Sequence, residues 1–145
     1  MLLPLPLSTV RERSLVAHVA LAAFQSGDGS SHLLYQLVRV VYLSYLMSEA
    51  GTRCRDIALF RDAERALEHA ARKASETSLW TLAESDAELM EEVIRAYDSQ
   101  LEAIQKYRFL ECLGRLETLV TKTIPQRSRA LFESEIPDMH EVGGE

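Results

Sequence analysis

Cysteine, proline and glycine are all scarce in this 145-residue chain, at two, four and six residues. That is too little turn-forming residue for a many-stranded β fold, the more so because Pro4 and Pro6 stand together at the start. Cys54 and Cys112 lie far apart and match no CxxC or Cys/His spacing, so the sequence offers no zinc ribbon and no thioredoxin-type motif. Both are expected as buried reduced thiols. No apolar run reaches the roughly 20 residues of a membrane span. The longest, residues 33–47 (LLYQLVRVVYLSYLM), is about 15 residues with Arg39 at its middle. The opening MLLPLPL is apolar, but it lacks a basic region and is broken by prolines, which does not fit a secretory leader. The expectation is a cytoplasmic protein with no membrane partner.

Catalytic and metal signatures are missing as well. A di-iron bundle needs Glu three residues before His, but Leu15 precedes His18, Ala66 precedes His69 and Pro137 precedes His140. HExxH, GxSxG, a Cys–His nucleophile pattern and a glycine-rich phosphate loop are absent. No catalytic, cofactor-binding or metal residue is therefore assigned, no cofactor is expected, and the chain reads as a non-enzyme.

What the sequence does contain is helical periodicity. The run at 33–47 is apolar around nearly its whole circumference, and such a helix must be covered on all sides. The reading is all-α: a single-domain bundle of about five helices around a central apolar helix at about 31–50. The helical domain spans 8–122, between an N-terminal arm at 1–7 and an acidic, partly disordered tail at 123–145. Helix 1 is expected from Ser8 or Thr9, where Thr9-x-x-Glu12 has capping-box spacing, to the Gly27-Asp28-Gly29 breaker. Gly51 is the natural stop for helix 2. Helix 3 is expected from Cys54 or Asp56 to Ala74, and its alanines suggest close approach to a neighbour. Helix 4 is expected from a capping box at Thr81 or Ser85 to about Ile104, and helix 5 over 107–121, with Gly114 allowing a close contact and Pro125 as its stop.

The net charge of −6 is unevenly spread. Residues 84–102 carry Glu84, Asp86, Glu88, Glu91, Glu92, Asp98 and Glu102 against Arg95 alone, whereas 106–129 are mainly basic. Antiparallel packing of helices 4 and 5 would use that complementarity to set register. Asp98, Arg108 and Glu111 are expected to tether the turn between them. Arg39 is expected to pair with an acid on a neighbour, such as Glu64 or Asp98, or else to bind an anion in a cleft. His18 is expected as a satisfied, semi-buried histidine. Tyr35, Tyr42 and Tyr45 fall on nearly one helix face, which suits either a core rim or a partly wet interface. With Arg61, Arg65, Glu88, Glu91 and Glu92 they form the candidate interaction surface.

The chain also resembles small helical proteins of proteobacteria that are named Fis-family transcriptional regulators. The resemblance lies in Leu3-Pro4-Leu5-Pro6, Ser14-Leu15 with His18 and Ala20 to Ala23, Ala58-Leu59-x-Arg61-x-Ala63-Glu64, Trp80-x-Leu82-x-Glu84, Tyr97-Asp98-x-Gln100-Leu101 and Arg108-Phe109-Leu110-Glu111. It covers residues 3–120 and implies a regulatory role. Fis proteins end in a basic helix-turn-helix, whereas this chain ends ESEIPDMHEVGGE, so no base-contacting residue is carried over.

The functional expectation is a non-enzymatic helical regulatory or interaction protein whose partner is another protein, with a homodimer as a second option. One alternative is a DNA-binding regulator using Arg53, Arg55, Arg61, Arg65 and Arg72. The interleaved Asp56, Asp62, Glu64 and Glu68 weaken any phosphate footprint, so nucleic acid is disfavoured. A third reading is an acidic inhibitor that occupies a nucleic-acid-binding groove through the carboxylates of helix 4.

Overall fold

The structure, a computed structural model, describes residues 3–49 and 57–123, the side chains of 120, 122 and 123 excepted. Five helices follow one another: α1 (Leu7–Gln25), α2 (Ser31–Glu49), α3 (Ile57–Thr77), α4 (Glu84–Ala103) and α5 (Lys106–Thr123). The expected Gly51 stop, the thiol of Cys54, Arg53, Arg55, the Pro125 stop and the C-terminal tail lie outside the described residues.

The apolar run becomes the central post. α2 packs against α1, α3, α4 and α5, and no other helix touches all of the rest. Leu34, Leu37, Val40, Val41, Leu43, Leu46 and Met47 are all buried, at positions spread around the helix. α1, α3 and α4 complete a four-helix body in which α4 packs on α1, α2 and α3. Side-chain pairs show the register. His18 with Asp98 and Gln25 with Glu91 step in opposite directions along α1 and α4, so these two helices run antiparallel. Tyr42 with Glu64 and Tyr45 with Phe60 do the same for α2 and α3. The alanines of α3 behave as their size suggests: Ala63, Ala66, Ala70, Ala71 and Ala74 are buried.

Helices 4 and 5 do not pair as the charge pattern suggested. α5 packs on α2, and its backbone does not come close to that of α4 or α1. The acids of α4 are engaged elsewhere: Asp98 takes His18 of α1 at 2.8 Å, and Glu91 accepts from Gln25 at 3.0 Å. Asp98 is therefore not held for the turn, and Arg108 lies over the Tyr107 ring. Gly114 has open space where a Cβ would stand, so it mediates no close helix contact.

The capping signals also settle differently. α1 begins at Leu7 behind Pro6, and no side chain caps it. α4 begins at Glu84 behind Ala83, again without a side-chain cap. Thr81 instead donates its hydroxyl to the Phe24 carbonyl, 3.0 Å away at the end of α1. α3 runs to Thr77, past the expected end at Ala74, and ends where Ser78 turns left-handed at φ 64° with its N–H on the Ala74 carbonyl. Residues 3–6 are extended. Pro4 bridges to Gln105, Lys106 N–H bonds to the Leu3 carbonyl at 2.7 Å, and Leu5 is buried.

The α1–α2 and α3–α4 loops are clasped together. Gly29 N–H donates to the Trp80 carbonyl at 3.2 Å, and Phe24 meets Trp80 edge-on with ring centroids 6.4 Å apart. A Cβ on Gly29 would stand 2.8 Å from both the Phe24 ring and the Trp80 carbonyl oxygen. Gly29→Ala is therefore expected to destabilise the fold by about 1–3 kcal/mol through overpacking. A thermal melt checks this, and an unchanged midpoint would mean that the loops are not held this closely.

Candidate functional site

Two surface features gather the polar and apolar groups that the core leaves over. The first is the outward side of α1. Val10, Ala17, Ala20, Leu21 and Phe24 fill the inward side, and α1 is apolar on both sides in its second half. Leu15, Val19 and Val16 therefore face out, 63%, 53% and 42% exposed. Leu15, Val19 and the exposed Ala22 follow i, i+4, i+7 spacing and form one stripe. Neighbouring large aliphatics left uncovered on a helix mark an interaction surface more often than isolated ones do.

Alongside that stripe runs a ridge of α4. Glu91 and Asp98, which bond to α1, sit seven residues apart on the edge nearest α1. Helical spacing adds Glu84, Glu88, Arg95 and Glu102 to the same edge. The ridge thus carries five carboxylates and one guanidinium beside the apolar stripe. His18 stands at their boundary. It is satisfied by Asp98, but its side chain is about half exposed rather than semi-buried in the core.

The second feature is a cleft of about 360 Å³ between α1 and α5, two helices that lean on α2 and meet each other through side chains, Arg13 over Phe109. Its floor is Val40 and Leu43 of α2, Leu116 of α5 and Tyr97 of α4; Thr9, Glu12, Arg13 and Val16 of α1 and Gln36 and Arg39 of α2 complete the lining. Arg39 donates to Glu117 at 3.0 Å and to the Tyr35 hydroxyl at 3.3 Å, and its guanidinium lies 5.6 Å from the centre of the Tyr35 ring. The partner of Arg39 is thus Glu117, not Glu64 or Asp98. Burial opposes the charge on Arg39, but the bonds to Glu117 and Tyr35 outweigh it and hold the guanidinium above its ordinary pKa. Arg13 lies over the Phe109 ring at 5.0 Å. Burial pushes the Tyr97 hydroxyl up, while the nearby Arg13 pulls the other way.

The residues singled out in the sequence do not form one patch. The three tyrosines divide: Tyr35 joins Arg39, whereas Tyr42 and Tyr45 turn towards α3. Tyr42 is buried and donates to Glu64; burial first, and then that carboxylate, raise its pKa. Tyr45 donates to Glu49 and meets Phe60 edge-on. Arg61 and Arg65 are exposed on α3, with Arg65 paired to Asp62 at 3.0 Å. Glu88, Glu91 and Glu92 are exposed on α4, away from the tyrosines, and Glu91 holds Gln25. The α1 stripe was hidden in the sequence because Leu15 and Val19 widen an apolar pattern that reads as core. Arg13 and Glu117 carried no signal beyond their charge, since only the packing brings them to Tyr97 and Arg39 respectively.

Among the described residues, no group of three or more His, Cys, Asp or Glu is placed to hold a metal ion. None of the described helices is long and apolar enough to cross a membrane. No protein family, curated protein or solved structure gives a significant match to the chain.

Proposed function

We propose that the chain is a non-enzymatic helical interaction protein that receives an amphipathic helix of another protein on α1. The observation that carries this reading is the outward Leu15–Val19–Ala22 stripe lying beside the acidic ridge of α4. A helix laid on that stripe would bury its apolar face by ridge-into-groove packing, and its Lys or Arg flank would meet Glu84, Glu88 and Glu91. Charge complementarity of this kind sets orientation and encounter rate more than affinity. The resemblance to Fis-named proteins enters this proposal in its regulatory sense. The DNA-binding alternative has less support: Arg65 is already paired with Asp62, and Arg61 stands on a helix face that also carries Glu68.

Affinity capture from host cells, run in parallel with wild type, Leu15→Lys/Val19→Lys and Glu84→Lys/Glu88→Lys/Glu91→Lys, tests the reading. All five substitutions are at exposed positions, so circular dichroism should show the same fold throughout. The expected result is one protein held by wild type and lost from both variants. Sedimentation at micromolar concentration separates a second copy of this chain from a different partner. Identical capture by wild type and both variants would reject the proposal.

A further inference from the structure

We propose that, in the protein on its own, the α1 stripe takes α1 of a second copy of this chain, laid antiparallel across a two-fold axis at Val19. The pairing rests on the reading of α1 as a helix-docking face and supplies an occupant for it. A two-fold pair uses the same patch on both copies, so the patch must complement itself. α1 meets that condition in size and in charge.

Leu15, Val19 and Ala22 follow one another along the exposed stripe, with the half-buried Ala23 beside Ala22. An antiparallel pair centred on Val19 sets Val19 against its own copy. It lays each Leu15 over Ala22 and Ala23 of the second copy, a large side chain against small ones. The charges fall into place in the same register. Arg11, His18 and Gln25 stand seven residues apart on the edge of α1 nearest α4, where His18 and Gln25 bond to Asp98 and Glu91. Those two pairs set Glu88 and Glu91 abreast of the last turn of α1 and leave Arg11 beyond the end of α4. Arg11 is exposed and, among the described residues, has no hydrogen-bond or ion-pair partner. It lies eight residues before Val19, about 12 Å along the helix. The two-fold axis carries it the same distance past Val19 of the second copy, to the last turn of α1, which Glu88 and Glu91 flank. The chain's own α1 thus carries the apolar stripe and the cationic flank that the docking face calls for. Both acidic ridges fall on one side of the pair, so each Arg11 also separates carboxylates that would repel one another.

One helix face per copy buries less than the roughly 1,600 Å² of a standard interface, so the pair should be weak, with a Kd on the order of tens of micromolar. Sedimentation equilibrium of the full chain from micromolar to millimolar concentration reads it, and wild type should pass from one copy to two. Arg11→Glu and Glu88→Lys/Glu91→Lys, all at exposed positions, should each weaken association about tenfold or more by placing like charges together. An equimolar mixture of the two variants should associate as wild type does, because both of its cross-contacts again join opposite charges. Arg11→Glu leaves the stripe and the ridge as they are, so it should still capture an outside partner while losing self-association. A wild type that stays a 16.4 kDa species throughout would overturn the proposal, as would a mixture no more associated than its components. Self-association as expected, with no other protein captured by wild type, would support the pairing and overturn only the reading of this face as a site for another protein.

Discussion

Leu37→Ala should lower the unfolding free energy by about 3 kcal/mol, within the roughly 2–5 kcal/mol span for a fully buried leucine. Leu37 has no exposed surface, and its helix is enclosed by four others. Two terms add: the transfer free energy of the deleted carbons, and the cavity that remains where surrounding helices cannot close in. Closure is hardest at the centre, because moving one neighbour towards the gap pulls it away from the others. Val41→Ala, at 1% exposure, removes less volume and should cost less. Urea melts with an unchanged slope check both. A loss below about half a kcal/mol, the usual size of a surface substitution, would mean that α2 is not the enclosed helix.

The second large effect is expected at Gln100, where truncation to Ala should cost about 3 kcal/mol through the cavity and the lost hydrogen bonds. Gln100 and Ser44 are buried polar residues facing each other across α2 and α4. The Ser44 hydroxyl donates to Gln100 Oε1, and Gln100 Nε2 donates back to the Ser44 carbonyl at 3.0 Å. This reciprocal pair exists in one register of the two helices only, since sliding either by a residue would strand both groups in an apolar interior. Ser44→Ala alone should cost about 1–2 kcal/mol, because the amide loses one partner and keeps the other. In a double-mutant cycle the two losses should fall short of additive. Additive losses would show that the side chains do not act as a pair.

The sequence and the structure agree most where burial is at stake and least where partners are. The central helix could be read from 33–47 because apolarity around a full circumference has one physical outcome. The five-helix, all-α class followed from helical periodicity and the shortage of Gly and Pro, and the structure has both. Ser44 was visible as a polar intruder, but its partner was not, because the meeting with Gln100 depends on how α2 and α4 lie together. Arg39 was visible as an anomaly, yet the sequence pointed to Glu64 or Asp98, and only the packing of α5 alongside α2 brings Glu117 to it. The capping boxes failed for a similar reason: Thr81 can bond locally or across a loop, and a contact with Phe24 decides. The candidate surface of tyrosines, arginines and acids rested on one-dimensional spacing, whereas the outward stripe of α1 and the cleft beside α5 depend on which helices pack along their length.

That α5 packs its length against one helix, α2, has a consequence for how the protein breathes. The other four helices brace one another in a closed ring of contacts, so none of them can leave without exposing faces of two or more neighbours. α5 buries Phe109, Cys112 and Leu116 and is joined to the body chiefly along α2, with Arg13 over Phe109 and the Leu3–Lys106 backbone bond beside that seam. Cooperative opening proceeds in such units, each with its own free energy below that of global unfolding. α5 is thus the detachable stave of this barrel of helices, and its departure would lay bare the side of α2 that carries Arg39 while the four-helix body stays intact.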